Sequence, residues 1–66
     1  MMVRVALLAG KGHRMVVVKS REFASEAEAT IWAAEQMAKG NGEVAHLFEC
    51  ESKRSPSGYL IEIIRA

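Results

Sequence analysis

A single helix with both ends marked, set between two pairs of strand-like runs, leaves this chain few ways to fold. Ser25 and Glu28 make an S-x-x-E capping box, in which each side chain satisfies a backbone donor of the first helical turn. Glu26 and Glu28 also suit the positive end of the helix dipole. At the other end, Lys39 and Gly40 supply a basic last turn and a residue able to take the left-handed cap. The spacing predicts a helix over Glu26–Lys39. Its buried stripe is expected at Ala27, Ile31, Ala34 and Ala38, widened by Trp32 and Met37.

On either side the pattern changes to β-branched runs. Val3–Ala9 and Arg14–Ser20 flank Gly10-Lys11-Gly12-His13, which reads as a hairpin turn. A two-residue turn at Lys11-Gly12, or a four-residue loop, pairs Val5 with Val18, Leu7 with Val16 and Val3 with Ser20. The other face then pairs Leu8 with Met15, Ala6 with Val17, Arg4 with Lys19 and Met2 with Arg21. After the helix, Glu43–Glu51 reads as a strand, Ser52–Gly58 as a polar loop broken by Pro56, and Tyr59–Arg65 as a final strand. The last strand is expected to show Tyr59, Ile61 and Ile63 on one face and Leu60, Glu62 and Ile64 on the other. The order is ββαββ. The expected class is α+β, one helix packed on one face of a four-stranded, mostly antiparallel sheet, with residues 1–66 forming one domain.

That packing leaves the second sheet face bare. On the expected register it carries Leu8, Met15, Val17, Leu47, Leu60 and Ile64, ringed by Arg4, Lys19, Arg21, Glu49, Glu51 and Glu62, with Phe48 and Tyr59 on the helix side. A solvated face should be mostly polar, and one about half apolar marks a contact surface.

Size makes such a contact useful. A 66-residue domain buries only ~60% of its unfolded surface and has a thin core. Cys50 is the only cysteine, so no disulfide forms within the chain, and one Cys with two His falls short of the usual four zinc ligands. Self-association, expected here as a homodimer, is the support left open. A lone thiol fits a reducing cytosol. The run Val5–Ala9 is too short for a signal peptide's core, and no stretch nears the ~20 apolar residues of a membrane span. The chain is therefore expected to be complete, soluble and cytoplasmic.

Chemistry finds little to work with. His46 and Cys50 share a strand face but lie ~13 Å apart at ~3.3 Å per residue, too far for a nucleophile and its base. Gly10-Lys11-Gly12 lacks the phosphate-loop spacing and leads into a strand. No carboxylate pair stands out for acid–base work, and no cofactor or metal is expected.

Charge is more informative. The formal net charge is only +1, yet the charges are sorted into blocks. Residues 1–21 carry Arg4, Lys11, Arg14, Lys19 and Arg21 and no acid. Residues 22–51 carry seven acids against Lys39, and Lys53, Arg54 and Arg65 then face Glu62. Arg4 opposite Lys19 would be a like-charge cross-strand pair in need of an anion. A nucleic-acid phosphate would serve, and so would Glu49, Glu51 or Glu62 on the same face. The internal partner is the preferred reading.

From Lys19 to Ala33, the positions Phe23, Ser25, Ala29 and Trp32 match a known spacing. The segment resembles the arm-binding N-terminal domains of phage integrases, where a basic hairpin leads into a capped helix bearing Ala and Trp. The resemblance implies a sheet entering a DNA groove, with Arg4, Arg14 and Lys19 on DNA. In size and layout the chain is also similar to small phage anti-CRISPR proteins. The leading expectation is a non-enzymatic protein that binds a protein partner through the bare sheet face, a phage or mobile-element accessory or inhibitor. Its expected contact residues are Arg4, Arg14, Met15, Val17, Lys19, Arg21, Leu47, Lys53 and Arg54. Nucleic-acid binding by the basic hairpin is the alternative.

Overall fold

The computed structural model describes residues 2–50 and 58–65. Strands β1 (Met2–Lys11) and β2 (Arg14–Phe23) precede helix α1 (Glu26–Ala38), and β3 (Val44–Cys50) and β4 (Tyr59–Arg65) follow it. All neighbouring strands are antiparallel, in the order β2-β1-β3-β4, so β1 and β3 are central and β2 and β4 are the edges. The architecture is the expected ββαββ.

Both helix ends are capped where the sequence marks them, but the helix stops at Ala38: Lys39 is the C-cap, so the expected basic last turn is absent. The Ser25 hydroxyl accepts from the Glu28 backbone N–H at 3.3 Å. At the C-terminus, Gly40 takes φ +82°. The Asn41 N–H then donates to the Gln36 carbonyl at 2.9 Å and the Gly40 N–H to the Met37 carbonyl at 3.0 Å. These two bonds make a Schellman motif and satisfy carbonyls the helix would otherwise leave open.

The buried stripe differs from expectation. Ala29, Trp32, Ala33 and Gln36 face the sheet, with Met37 packed beside them, whereas Ala27, Ala34 and Ala38 are exposed and Ile31 is 60% exposed. Alanines recur on every side of this helix, so they carry no phase information; the single large ring, Trp32, sets which side goes down. It packs tilted against Phe23 of β2, with ring centroids 5.5 Å apart. Beneath the helix, Val3, Val5 and Leu7 of β1 and Ala45 and Leu47 of β3 are fully buried. Gly42, buried at the entry to β3, lets the chain pass Leu7, since a Cβ there would meet the Leu7 Cβ at 3.2 Å.

The register corrects the expected pairing in two steps. Lys11 pairs with Arg14, so the turn is Gly12-His13, with Gly12 at φ +67°. This moves β2 by two residues and keeps Met15 and Val17 on their expected face. A β-bulge follows: Leu8 faces Val17 and Leu7 faces Lys19, leaving Val18 as the extra residue. Beyond it every side chain of β2 changes face. Lys19 and Arg21 turn to the helix side, and Arg4 meets Glu22 instead of Lys19.

β4 repeats the device. Leu47 faces Glu62 and Phe48 faces Leu60, which leaves Ile61 as the extra residue. Tyr59, Glu62 and Ile64 therefore lie on the helix side, and Leu60, Ile63 and Arg65 on the other. The expected grouping of Ile61 with Tyr59 and Ile63, and of Leu60 with Ile64, is overturned by this one residue.

Candidate interaction face

The three registers together lay out the sheet face opposite the helix as rows running from β2 to β4. One row reads Glu22, Arg4, Phe48, Leu60; the next Ser20, Ala6, His46, Ile63; the third Val17, Leu8, Val44, Arg65. Met2 and Cys50 continue it at one end, and Gly10 and Met15 at the other. Five of the twelve positions in the full rows are polar (Glu22, Arg4, Ser20, His46 and Arg65), so the face is mostly apolar where a solvated sheet would alternate to polar.

Its apolar side chains on the two outer strands are open to solvent. Val17 is 58% exposed, Leu60 50%, Met15 47% and Ile63 41%. Among the described residues the core is small: Val3, Val5, Leu7 and Leu47 are its fully buried large aliphatic side chains, with Trp32 almost fully buried and Phe23, Met37 and Ile64 packed against them.

The polar groups sit toward two opposite corners. Glu22 and Arg4 form an ion pair at 3.4 Å, with side chains 32% and 26% exposed. This meets the Arg4 charge from within the chain, as preferred, but the acid is Glu22 rather than Glu49, Glu51 or Glu62. Arg65 occupies the far corner, on the last strand. His46, between them, meets the Phe48 ring edge-on with centroids 6.2 Å apart.

Of the expected contact residues, Arg4, Met15 and Val17 lie on this face. Leu47 does not: it is fully buried under the helix. The run Val44–Phe48 is apolar on both faces, so alternation alone carries no sign. Phe48 is the residue that takes the open side, contrary to expectation. Ile64 likewise packs against the core.

Lys19 and Arg21 are also removed from the face. The Lys19 ammonium lies 5.8 Å from the Trp32 ring centroid and 3.5 Å from Gln36 Oε1, and the Arg21 guanidinium lies 5.2 Å from the Phe23 ring. Gln36 Oε1 also accepts from Asn41 Nδ2 at 2.8 Å, which ties this cluster to the helix cap. Arg14 stands opposite Lys11 at the hairpin tip, so the like-charge pair falls there. Lys53 and Arg54 lie outside the described residues.

A depression lined by Ala9, Val18, Lys19, Gly40 and Asn41 sits by the helix C-terminus, and its one cation is the Lys19 already engaged with Trp32 and Gln36. Cys50 is 1% exposed. Among the described residues no three His, Cys, Asp or Glu side chains gather as metal ligands, and no helix is long and apolar enough to cross a membrane. No protein-family model, curated protein or solved structure matches the chain.

Proposed function

We propose that this protein works by protein–protein contact rather than by catalysis, with the sheet face opposite the helix as its working surface. The observation that carries the reading is the set of rows itself: large apolar side chains occupy all four strands of that face, and the most open of them stand on β2 and β4. Exposed apolar area of this kind is where binding proteins gain their free energy, at ~25 cal/mol per Å² removed from water. The Arg4–Glu22 pair supplies a polar edge, as the rim of an interface commonly does. A small phage or mobile-element accessory or inhibitor remains the biological class proposed, on the resemblance in size and layout. A single thiol fits a cytosolic setting.

The alternative, nucleic-acid binding by the basic hairpin, has less support. Arg4 lies on the open face and is paired with Glu22, while on the helix side Lys19 and Arg21 stand over aromatic rings, with Lys11 and Arg14 at the hairpin tip.

Photo-crosslinking tests the reading whatever the occupant is. A photoreactive side chain replacing Val17 should give protein adducts in the cell, and one replacing Ile31, on the helix's outer face, should not. Adducts at Ile31 alone would overturn the reading, and nucleic-acid adducts at Val17 would restore the alternative.

A further inference from the structure

The open face has an occupant that its own geometry fits. We propose that a second copy of this chain covers it, with the two sheets crossing at close to a right angle; this rests on the reading of the face as a protein-contact surface.

The first argument is size. Four strands ~4.8 Å apart and three full rows ~6.8 Å apart give a patch of roughly 400 Å². Two such patches together remove about 800 Å², the small size that goes with a dimer dissociating on dilution. A second copy crossing at a right angle covers all of this patch.

The second argument is the placement of charge. The three full rows span ~14 Å, and so do the four strands, which makes this part of the face nearly square. Two copies can face each other about a two-fold axis lying along the strands, across them, or along either diagonal. An axis along the strands sets Glu22 over Leu60 and Arg65 over Val17 of the other copy. An axis across them sets Glu22 over Val17 and Arg65 over Leu60. The diagonal through Glu22 and Arg65 stacks each on its own equivalent. Only the diagonal through Val17 and Leu60 brings Glu22 to Arg65 of the other copy, twice over by symmetry. That same axis stacks Val17 on Val17 and Leu60 on Leu60, two of the most open apolar side chains of the face. Sheets crossing near 90° are an established way for two faces to pack.

The third argument weighs against the edge-to-edge dimer. Each outer strand carries a bulge in its middle, at Val18 and at Ile61. A regular strand added to either edge loses the match of faces past that point, which blunts both edges.

The test uses the whole chain. Sedimentation equilibrium should give twice the chain mass, dissociating on dilution. Val17→Lys, at an exposed position, should weaken the dimer at least tenfold, and Arg65→Glu should weaken it measurably. Leu60→Cys, on the proposed axis, should form a disulfide-linked dimer under mild oxidation, while Ile31→Cys and the parent chain, whose Cys50 is buried, should not. A monomer at all concentrations would overturn the proposal. If Val17 then crosslinks to a different protein, the face is still a contact surface and only the second copy is wrong. A dimer lost in Val17→Lys but not linked through Leu60→Cys would overturn the crossing geometry.

Discussion

The Arg4 guanidinium lies 3.4 Å from the Glu22 carboxylate across the first hairpin, because one residue, Val18, is left out of the ladder between them and the turn. Partly exposed ion pairs of this kind contribute ~0–1 kcal/mol. Arg4→Met and Glu22→Gln should each lower stability by less than ~1 kcal/mol. Glu22→Arg should cost more, by placing two cations opposite each other. The exchange Arg4→Glu with Glu22→Arg should recover most of that loss, as urea midpoints would show. A single Glu22→Arg variant as stable as the parent would show that the pair plays no part in the register.

The buried stripe of α1 makes a sharper prediction. Leu47→Ala, beneath the helix, should cost about 2–5 kcal/mol, and Trp32→Ala about 3–5 kcal/mol. Ile31→Ala should stay within ~0.5 kcal/mol, because the side chain is already open to water. Denaturant unfolding of the three variants decides between this phase of the helix and the one centred on Ile31.

The helix ends should respond separately. Ser25→Ala removes the acceptor for the Glu28 N–H and should cost ~1 kcal/mol. Gly40→Ala forces a Cβ into φ +82° and should cost about 1–2 kcal/mol. Since the two sites lie at opposite ends of the helix, their losses should add in the double variant. Strong departure from additivity in thermal melts would mean that the caps are coupled through the fold.

Nucleic acid should bind weakly. With Arg4 paired to Glu22, and Lys19 and Arg21 standing over aromatic rings, duplex DNA at physiological salt should show no more than the ~10⁻⁴–10⁻⁶ M expected of non-specific contact. Fluorescence anisotropy on labelled duplex checks this. Sub-micromolar binding that Arg4→Ala with Lys19→Ala abolishes would contradict it.

Much of the architecture was legible because it rests on short-range signals. The capping box at Ser25 and Glu28, the Lys39-Gly40 stop and the glycine-rich turn each act over a few residues, and the ββαββ order follows from them. Leu8, Met15, Val17 and Leu60 were placed on the open face for the same reason: they lie between the turn or strand end and the nearest bulge. What failed was parity beyond a bulge. Val16-Val17-Val18 and Leu60-Ile61 contain no glycine or proline to mark an extra residue, so alternation was carried straight through, and Lys19, Arg21 and Ile64 came out on the wrong side. The phase of β3 failed for a different reason. Val44 and Phe48 are as apolar as Ala45 and Leu47, and only the space under Trp32 decides between them.

The bulges at Val18 and Ile61 also set a limit on growth. A sheet with two regular edges invites further strands from either side, and identical chains can then join without end into fibres. Here both margins are out of step with a straight newcomer, which disfavours growth within the plane of the sheet. Attraction is left to the broad surface, which under the proposed pairing a single facing copy would use up. That pairing would make a closed, countable assembly, and deleting Val18 or Ile61 should be the shortest route to one that keeps extending.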